Sequence, residues 1–260
     1  MSYESSAKIQ TRREGLVGYV VIDNPQKHNA LNFDMWSSLP RHLCDLESDP
    51  KVRLIVLQGA GEKAFASGSD ISQFGERRNT SEGVALYNAT VEQAVSAVSK
   101  VRKPTVARIK GYCFGGGVAL AMHCDLRYAS KESTFCIPAG KVGVGYHQLW
   151  LQRLTWLVGP ANAKEIMFTA RKYDVDDALR IGLINRVYDD AAFTDLIKTM
   201  VDLAPLTLSA SKQAIEEAIK PQEYDRDGCV AAILSCFASQ DYIEGRNAFV
   251  EKRKPVFSGN

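Results

Sequence analysis

The spacing of apolar residues changes character several times along the chain. "KIQTRREGLVGYVVIDNP" reads as a hairpin: a strand from Lys8 to Arg13, a turn at Gly15, and a strand from Val17 to Ile22 closed by Asn24-Pro25. Asn32 then stands where a helix cap belongs. It precedes Phe33, Trp36, Leu39, Leu43 and Leu46, whose spacing predicts a helix that Pro40 kinks or interrupts. "RLIVLQG" is a buried strand ending at a glycine, and "GERRNTSEG" has the composition of a surface loop. Ser81 is placed to cap a long helix to about Val101, stopped by Lys103-Pro104. "TVARIKG", "LRYAS" and "STFCI" read as further strands. From Gln148 the pattern is mainly helical, with one strand at "GLINRVY".

This alternation predicts an α/β core with βαβ crossovers over residues 1–190, followed by a helical layer or small domain over 191–260. A chain of 260 residues, 45% hydrophobic and 24% charged, is ordinary for a soluble globular protein. The net charge of +2 provides no broad field for nucleic acid or an anionic membrane surface. No apolar run approaches the roughly 20 residues needed to span a bilayer, and the first residues have no secretory leader pattern. Six cysteines (Cys44, Cys113, Cys124, Cys136, Cys229 and Cys236) occur without C-x-x-C pairing. Reduced thiols in a cytoplasmic compartment are therefore expected, with no zinc site and no other metal-ligand spacing.

The candidate chemistry begins at "GYCFGGGVALAMHCD", residues 111–125. Three glycines in series cost a helix roughly 1 kcal/mol each relative to alanine. Close packing explains one of them more readily than three. "GYCFGGG" has the wrong spacing for a dinucleotide fingerprint. "GAGEKA" at Gly59 fits better, but Gly68 interrupts the helix that would hold a pyrophosphate. No G-x-x-x-x-G-K-[ST] occurs. Backbone N–H groups aimed at an oxyanion remain, reinforced by the helix dipole. A second donor turn is available upstream in "AFASGSDI", at Ser69-Asp70.

These two turns together resemble the crotonase superfamily, the enoyl-CoA hydratase/isomerase family, and the resemblance covers nearly the whole chain. "NPQKHNALN" is similar to the family's early turn, "EIMFTARKYDVDDALRIGLINRVY" to its middle helices and strand, and "QDYIEGRNAFVEKRKPVF" to its terminal helix. The resemblance implies a crotonase (ClpP/crotonase-like) fold, with repeated ββα units forming a spiral core and a helical C-terminal trimerisation region. It also implies an acyl-CoA substrate whose thioester oxygen, on becoming an enolate, is held by the N–H groups of Ser69 and Gly116. Lys27 and His28 would meet the nucleotide end of the coenzyme. Ser67, Asp70 and Ile71 would line the same crevice, and Phe249 and Lys252 would reach coenzyme A from the terminal helix. Trimers, often paired as hexamers, would follow. Coenzyme A enters as part of the substrate, and no separate cofactor or metal is called for.

The sequence departs from the family at two positions. Hydratases of the family carry glutamates two residues after the glycine triplet and directly after the proline of "F-x-x-P-E". Here those positions are Ala119 and Ala139. A positioned acid or base is typically worth 10²–10⁴ in rate, and a methyl group supplies neither, so ordinary hydration is expected to be slow or absent. Tyr146 in "GVGYHQLW" is the first substitute candidate, and His147 the second. "VGVGYH" and the chain's ending also resemble methylmalonyl-CoA decarboxylase. That resemblance implies an alternative: decarboxylation of a malonyl-type acyl-CoA, with Tyr146 orienting the carboxylate. Ser69 stands where that enzyme has a histidine. A non-catalytic acyl-CoA-binding protein is a third reading. His123 is expected to be a hydrogen-bonded core residue, and Cys113 and Cys136 small apolar fillers.

Overall fold

The structure is a computed structural model that describes residues 7–77, 80–219 and 239–260, together with 227–228, 231 and 235. The chain opens with β1 (Lys8–Glu14) and β2 (Val17–Asp23), paired antiparallel as the expected hairpin. The first helix, α1 (Phe33–Ser48), is capped by Asn32, whose side chain accepts the Met35 N–H at 2.8 Å. Pro40 does not interrupt it. A proline inside a helix costs about 3 kcal/mol. Continuing past it buries Leu43 and Leu46, each worth about 1.5–3 kcal/mol, so the helix gains by running through.

A repeat follows. β3 (Leu54–Gly59) and β4 (Ala64–Ala66) lead through a one-turn α2 (Phe74–Arg77) to α3 (Ser81–Lys100). β5 (Thr105–Ile109) and β6 (Tyr112–Phe114) lead to α4 (Gly116–His123). β7 (Leu126–Ala129) and β8 (Thr134–Cys136) lead to α5 (Gln148–Thr169). The first strand of each of these pairs enters a six-stranded sheet of order β1-β2-β3-β5-β7-β9, where β9 is Arg186–Val187 and the pairing beyond β2 is parallel. The second enters a three-stranded parallel sheet of order β4-β6-β8. This is the ββα repeat that the resemblance implied. Two local expectations shift. Thr80, not Ser81, caps α3, with its hydroxyl accepting the Gly83 N–H at 3.0 Å. The strand at "GLINRVY" is only the two residues of β9 (Arg186–Val187).

Both faces of the large sheet are covered, which explains why β3 is continuously apolar rather than alternating. Ile55 and Leu57 face the main core with α1 and α3, while Leu54 and Val56 face Tyr188, Phe193 and Ile197. The last two belong to α7 (Asp190–Val201), so the helical layer expected from Ala191 begins by packing onto the sheet. Between lies α6 (Val175–Arg180), and α8 (Pro205–Ala218) and α9 (Gln240–Glu251) follow. Lys212 on α8 reaches Asp125 at 2.8 Å, and the same carboxylate accepts the Thr105 N–H at 2.7 Å. Gly159 (φ 76) and Pro160 break α5 near its middle.

Candidate functional site

Two close-packed turns define the site. Leu31 makes a parallel bridge with Ser69: its N–H donates to Gly68 O at 2.8 Å, and its carbonyl accepts the Asp70 N–H at 2.8 Å. Successive N–H groups of an extended segment point in opposite directions, so the Ser69 N–H is turned away from Leu31. In the second turn, Gly115 (φ 50) donates its N–H to Cys136 O at 2.8 Å and starts α4. The Gly116 N–H is one of the first-turn donors that no helical carbonyl can satisfy. Among the described residues neither the Ser69 nor the Gly116 N–H donates to a protein acceptor.

Glycine makes the approach of the turns possible. A Cβ on Gly68 (φ +99) would lie 3.1 Å from Gly116 N, and one on Gly116 would lie 3.1 Å from the Trp36 ring. A Cβ on Gly117 would lie 2.3 Å from Ala66 O. The triplet therefore does three jobs: a positive φ at Gly115, space for the Trp36 ring at Gly116, and contact between α4 and β4 at Gly117.

Both turns open into a cleft of about 150 Å³. Ser67, Ser69, Ile71 and Gly116 lie along it, and Ile71 is 58% exposed. Lys27 is held at the edge of the same turn: its ammonium lies 2.8 Å from Asp70 and 3.1 Å from the Ser72 hydroxyl. Asp70 is buried and caps the following turn by accepting the Ser72 N–H. Burial opposes its charge, but hydrogen bonds from Lys27 and Ser72, with the Lys27 charge, hold its carboxyl below the usual range. Asp70 thus organises the turn rather than lining the cleft. His28 adopts a left-handed conformation (φ 51) and packs edge-on against Tyr112 at 5.5 Å. Lys252 is exposed just beyond α9, apart from the cleft-lining residues. The side chain of Phe249 lies outside the described residues, as do Cys229 and Cys236.

The two alanines differ in position. Ala139 lines the cleft, whereas Ala119 is fully buried within α4. Tyr146 also lines it, but its hydroxyl donates to Gly115 O at 3.1 Å. Burial pushes the phenol pKa up, so the proton stays on. The hydroxyl braces the second donor turn and has only lone pairs left to offer the cleft. Beside it, His147 Nε2 lies 3.0 Å from a carboxylate oxygen of Glu92 on α3. His147 Nδ1 and Trp150 Nε1 are buried without a hydrogen-bond partner. Glu92 escaped the sequence reading. On α3 it sits beside the buried stripe of Val91, Ala94, Val95 and Val98, one turn after Asn88, which also lines the cleft. A charge flanking an apolar stripe was the only local signal.

His123 is buried, with Nδ1 2.8 Å from Ala119 O, and burial pushes its pKa down to about 4. Cys113 and Cys136 are buried thiols whose pKa values burial raises, consistent with apolar packing. Among the described residues no group of three His, Cys, Asp or Glu side chains is placed to hold a metal ion, and no helix is long and apolar enough to cross a membrane.

The sequence pattern of the enoyl-CoA hydratase/isomerase family matches residues 12–260. The chain is 36% identical over 250 residues to the short-chain-enoyl-CoA hydratase of Clostridium acetobutylicum, covering 93% of this chain and 94% of that one. It is 30% identical to the peroxisomal Delta(3,5)-Delta(2,4)-dienoyl-CoA isomerase of Arabidopsis thaliana, covering 99% and 98%. A solved enoyl-CoA hydratase/carnithine racemase from Magnetospirillum magneticum superposes with a TM-score of 0.91 at 34% identity, covering 98% of this chain and 97% of that one. With its ββα repeat, its paired turns and these relatives, the chain belongs to the enoyl-CoA hydratase/isomerase family, within the crotonase superfamily.

Proposed function

We propose that this protein is an enzyme that binds an acyl-CoA thioester in the cleft and draws electrons onto its carbonyl oxygen through the N–H groups of Ser69 and Gly116. One observation carries the reading: two N–H groups without protein acceptors, on turns close enough that a Cβ on Gly68 would lie 3.1 Å from Gly116 N. Fixed donors of this kind stabilise charge that develops during reaction without having to reorganise. Relatives named as acting on enoyl-CoA and dienoyl-CoA support the substrate class. Ser67 and Ile71 line the path to the donors, with Lys27 and His28 at its outer end. Lys252 and Phe249 complete the coenzyme contacts in this proposal, and assembly as trimers or paired trimers belongs to it as well.

Hydration is disfavoured by Ala139, which places a methyl group in the cleft at the position of an expected carboxylate. Decarboxylation of a malonyl-type thioester is favoured by the same absence, since loss of CO₂ forms the enolate without a base. It would require the Tyr146 hydroxyl to leave Gly115 O, or to bind the carboxylate without its proton.

A conjugated thioester such as cinnamoyl-CoA tests the donors directly, because its absorption moves to the red when the carbonyl is polarised. Ser69→Pro deletes one donor. The native protein should show the shift. The variant should lose most of it and at least about a hundredfold in turnover. A native protein that binds the thioester with no red shift would overturn the reading. Incubation with crotonyl-CoA and methylmalonyl-CoA, read by mass spectrometry, separates hydration, CO₂ loss and simple binding.

A further inference from the structure

We propose that His147, oriented by Glu92, is the proton-transfer group of this site, removing and returning a proton next to the thioester carbonyl. The inference rests on the carbonyl-polarising cleft proposed above and names the base that the cleft needs.

Three observations support it. His147 lines the same cleft as Ser69 and Gly116, together with Ala139, which replaces a carboxylate. Its Nε2 lies 3.0 Å from Glu92. An ionised carboxylate only accepts hydrogen bonds, so in the neutral ring Nε2 carries the hydrogen and Nδ1 the lone pair. That Nδ1 is buried and has no protein partner. A buried polar atom left unpaired usually has an unseen partner or a functional reason. This lone pair is closed off in the structure, so the step requires the cleft wall to shift and admit the substrate's Cα to it. Trp150 Nε1 is a second unpartnered buried polar atom on the same wall. The ring is held by Glu92 and by Trp150, with ring centroids 5.6 Å apart. His123, the nearby imidazole on α4, is sealed in the core with Nδ1 on Ala119 O.

The step balances without an added reagent. The Cα–H bond breaks and its proton passes to His147 Nδ1. The electron pair forms the C=C bond of an enolate, and the former carbonyl pair settles on the oxygen held by Ser69 and Gly116. Glu92 keeps the Nε2 hydrogen and faces the resulting imidazolium. Returning the proton to Cα gives exchange or epimerisation. Returning it to the γ-carbon of an unsaturated chain moves the double bond. One base that takes and gives back one proton therefore points to isomerisation rather than to hydration, which also needs a bound water and a second group.

Butyryl-CoA in D₂O isolates the step, because a saturated chain cannot be hydrated. The native protein should incorporate deuterium at Cα, read by mass spectrometry. His147→Ala should slow incorporation at least about a hundredfold, with added imidazole restoring part of it, while the cinnamoyl-CoA red shift persists. Glu92→Gln, removing the positioning carboxylate, should lower the rate constant and leave the half-saturating concentration unchanged. If His147→Ala fails to fold, His147→Gln, checked by thermal melting, gives the same decision. Undiminished exchange in a folded His147 variant overturns the inference, as does a native protein that shows the red shift but no exchange. Both results leave the polarising cleft standing. Absence of both red shift and exchange in the native protein removes the cleft reading and this one together.

Discussion

At the scale of single residues, the two alanines at the family's glutamate positions are not equivalent. Ala139 faces the cleft, where a carboxylate would remain hydrated or meet the substrate. Ala119 is fully buried among apolar side chains. A carboxylate forced into that site loses its hydration or must take up a proton, and either is costly. Ala139→Glu should therefore fold with a melting temperature near that of the native protein and gain measurable hydration of crotonyl-CoA. Ala119→Glu should lose stability by more than about 3 kcal/mol in denaturant titrations. Equal stability of the two variants would show that the space around Ala119 yields.

At the scale of elements, α4 is held to the small sheet by backbone contact. The Cα of Gly117 packs so closely on β4 that a methyl group would meet Ala66 O at 2.3 Å. Gly117→Ala should thus cost at least about 1–3 kcal/mol and displace the Gly116 donor, lowering turnover by more than the stability loss explains. Paired thermal melts and kinetics at a temperature where the variant is fully folded would separate the two effects. Elements of this kind were legible wherever the signal was local. The Asn32 cap, the Gly15 hairpin and the glycine-led start of α4 are written within a few residues of where they act. Pro40 misled, because the packing of Leu43 and Leu46 outweighs a local penalty. The motif positions of Ser69 and Gly116 were legible through resemblance. The orientation of the Ser69 N–H was not, since it depends on Leu31 bridging to Ser69. The His147–Glu92 pair was illegible for the same reason: its halves sit on α3 and at the start of α5, and only the fold brings them within 3.0 Å.

At the scale of the whole molecule, His123 makes stability depend on pH. Its pKa is pushed down from 6.5 to about 4 by burial, so the unfolded chain takes up a proton first as pH falls. Its contribution is complete above pH 6.5 and is lost progressively between 6.5 and about 4. The native protein should be about 2 kcal/mol less stable at pH 5 than at pH 7.5 on this account alone. His123→Gln should flatten that part of the profile in denaturant titrations. Asp70 acts in a separate window: its carboxyl sits below the ordinary 3.8, so its contribution is lost only at more acid pH. A profile that stays steep between pH 7.5 and 5 in His123→Gln would place the acid sensitivity elsewhere.

The small parallel sheet has a consequence for how this architecture can change. β4 and β6 run directly into the two donor turns, and the end of β8 accepts the Gly115 N–H. In the proposed function, recognition of the thioester is therefore tied to one three-stranded unit. Ala139, Tyr146 and His147, which the proposed chemistry sets against the enolate, lie on the separate connection between β8 and α5. Exchanging that short connection, with the Tyr146 hydrogen bond to Gly115 kept, would re-equip the pocket for a different outcome while leaving the strands that carry the two turns in place.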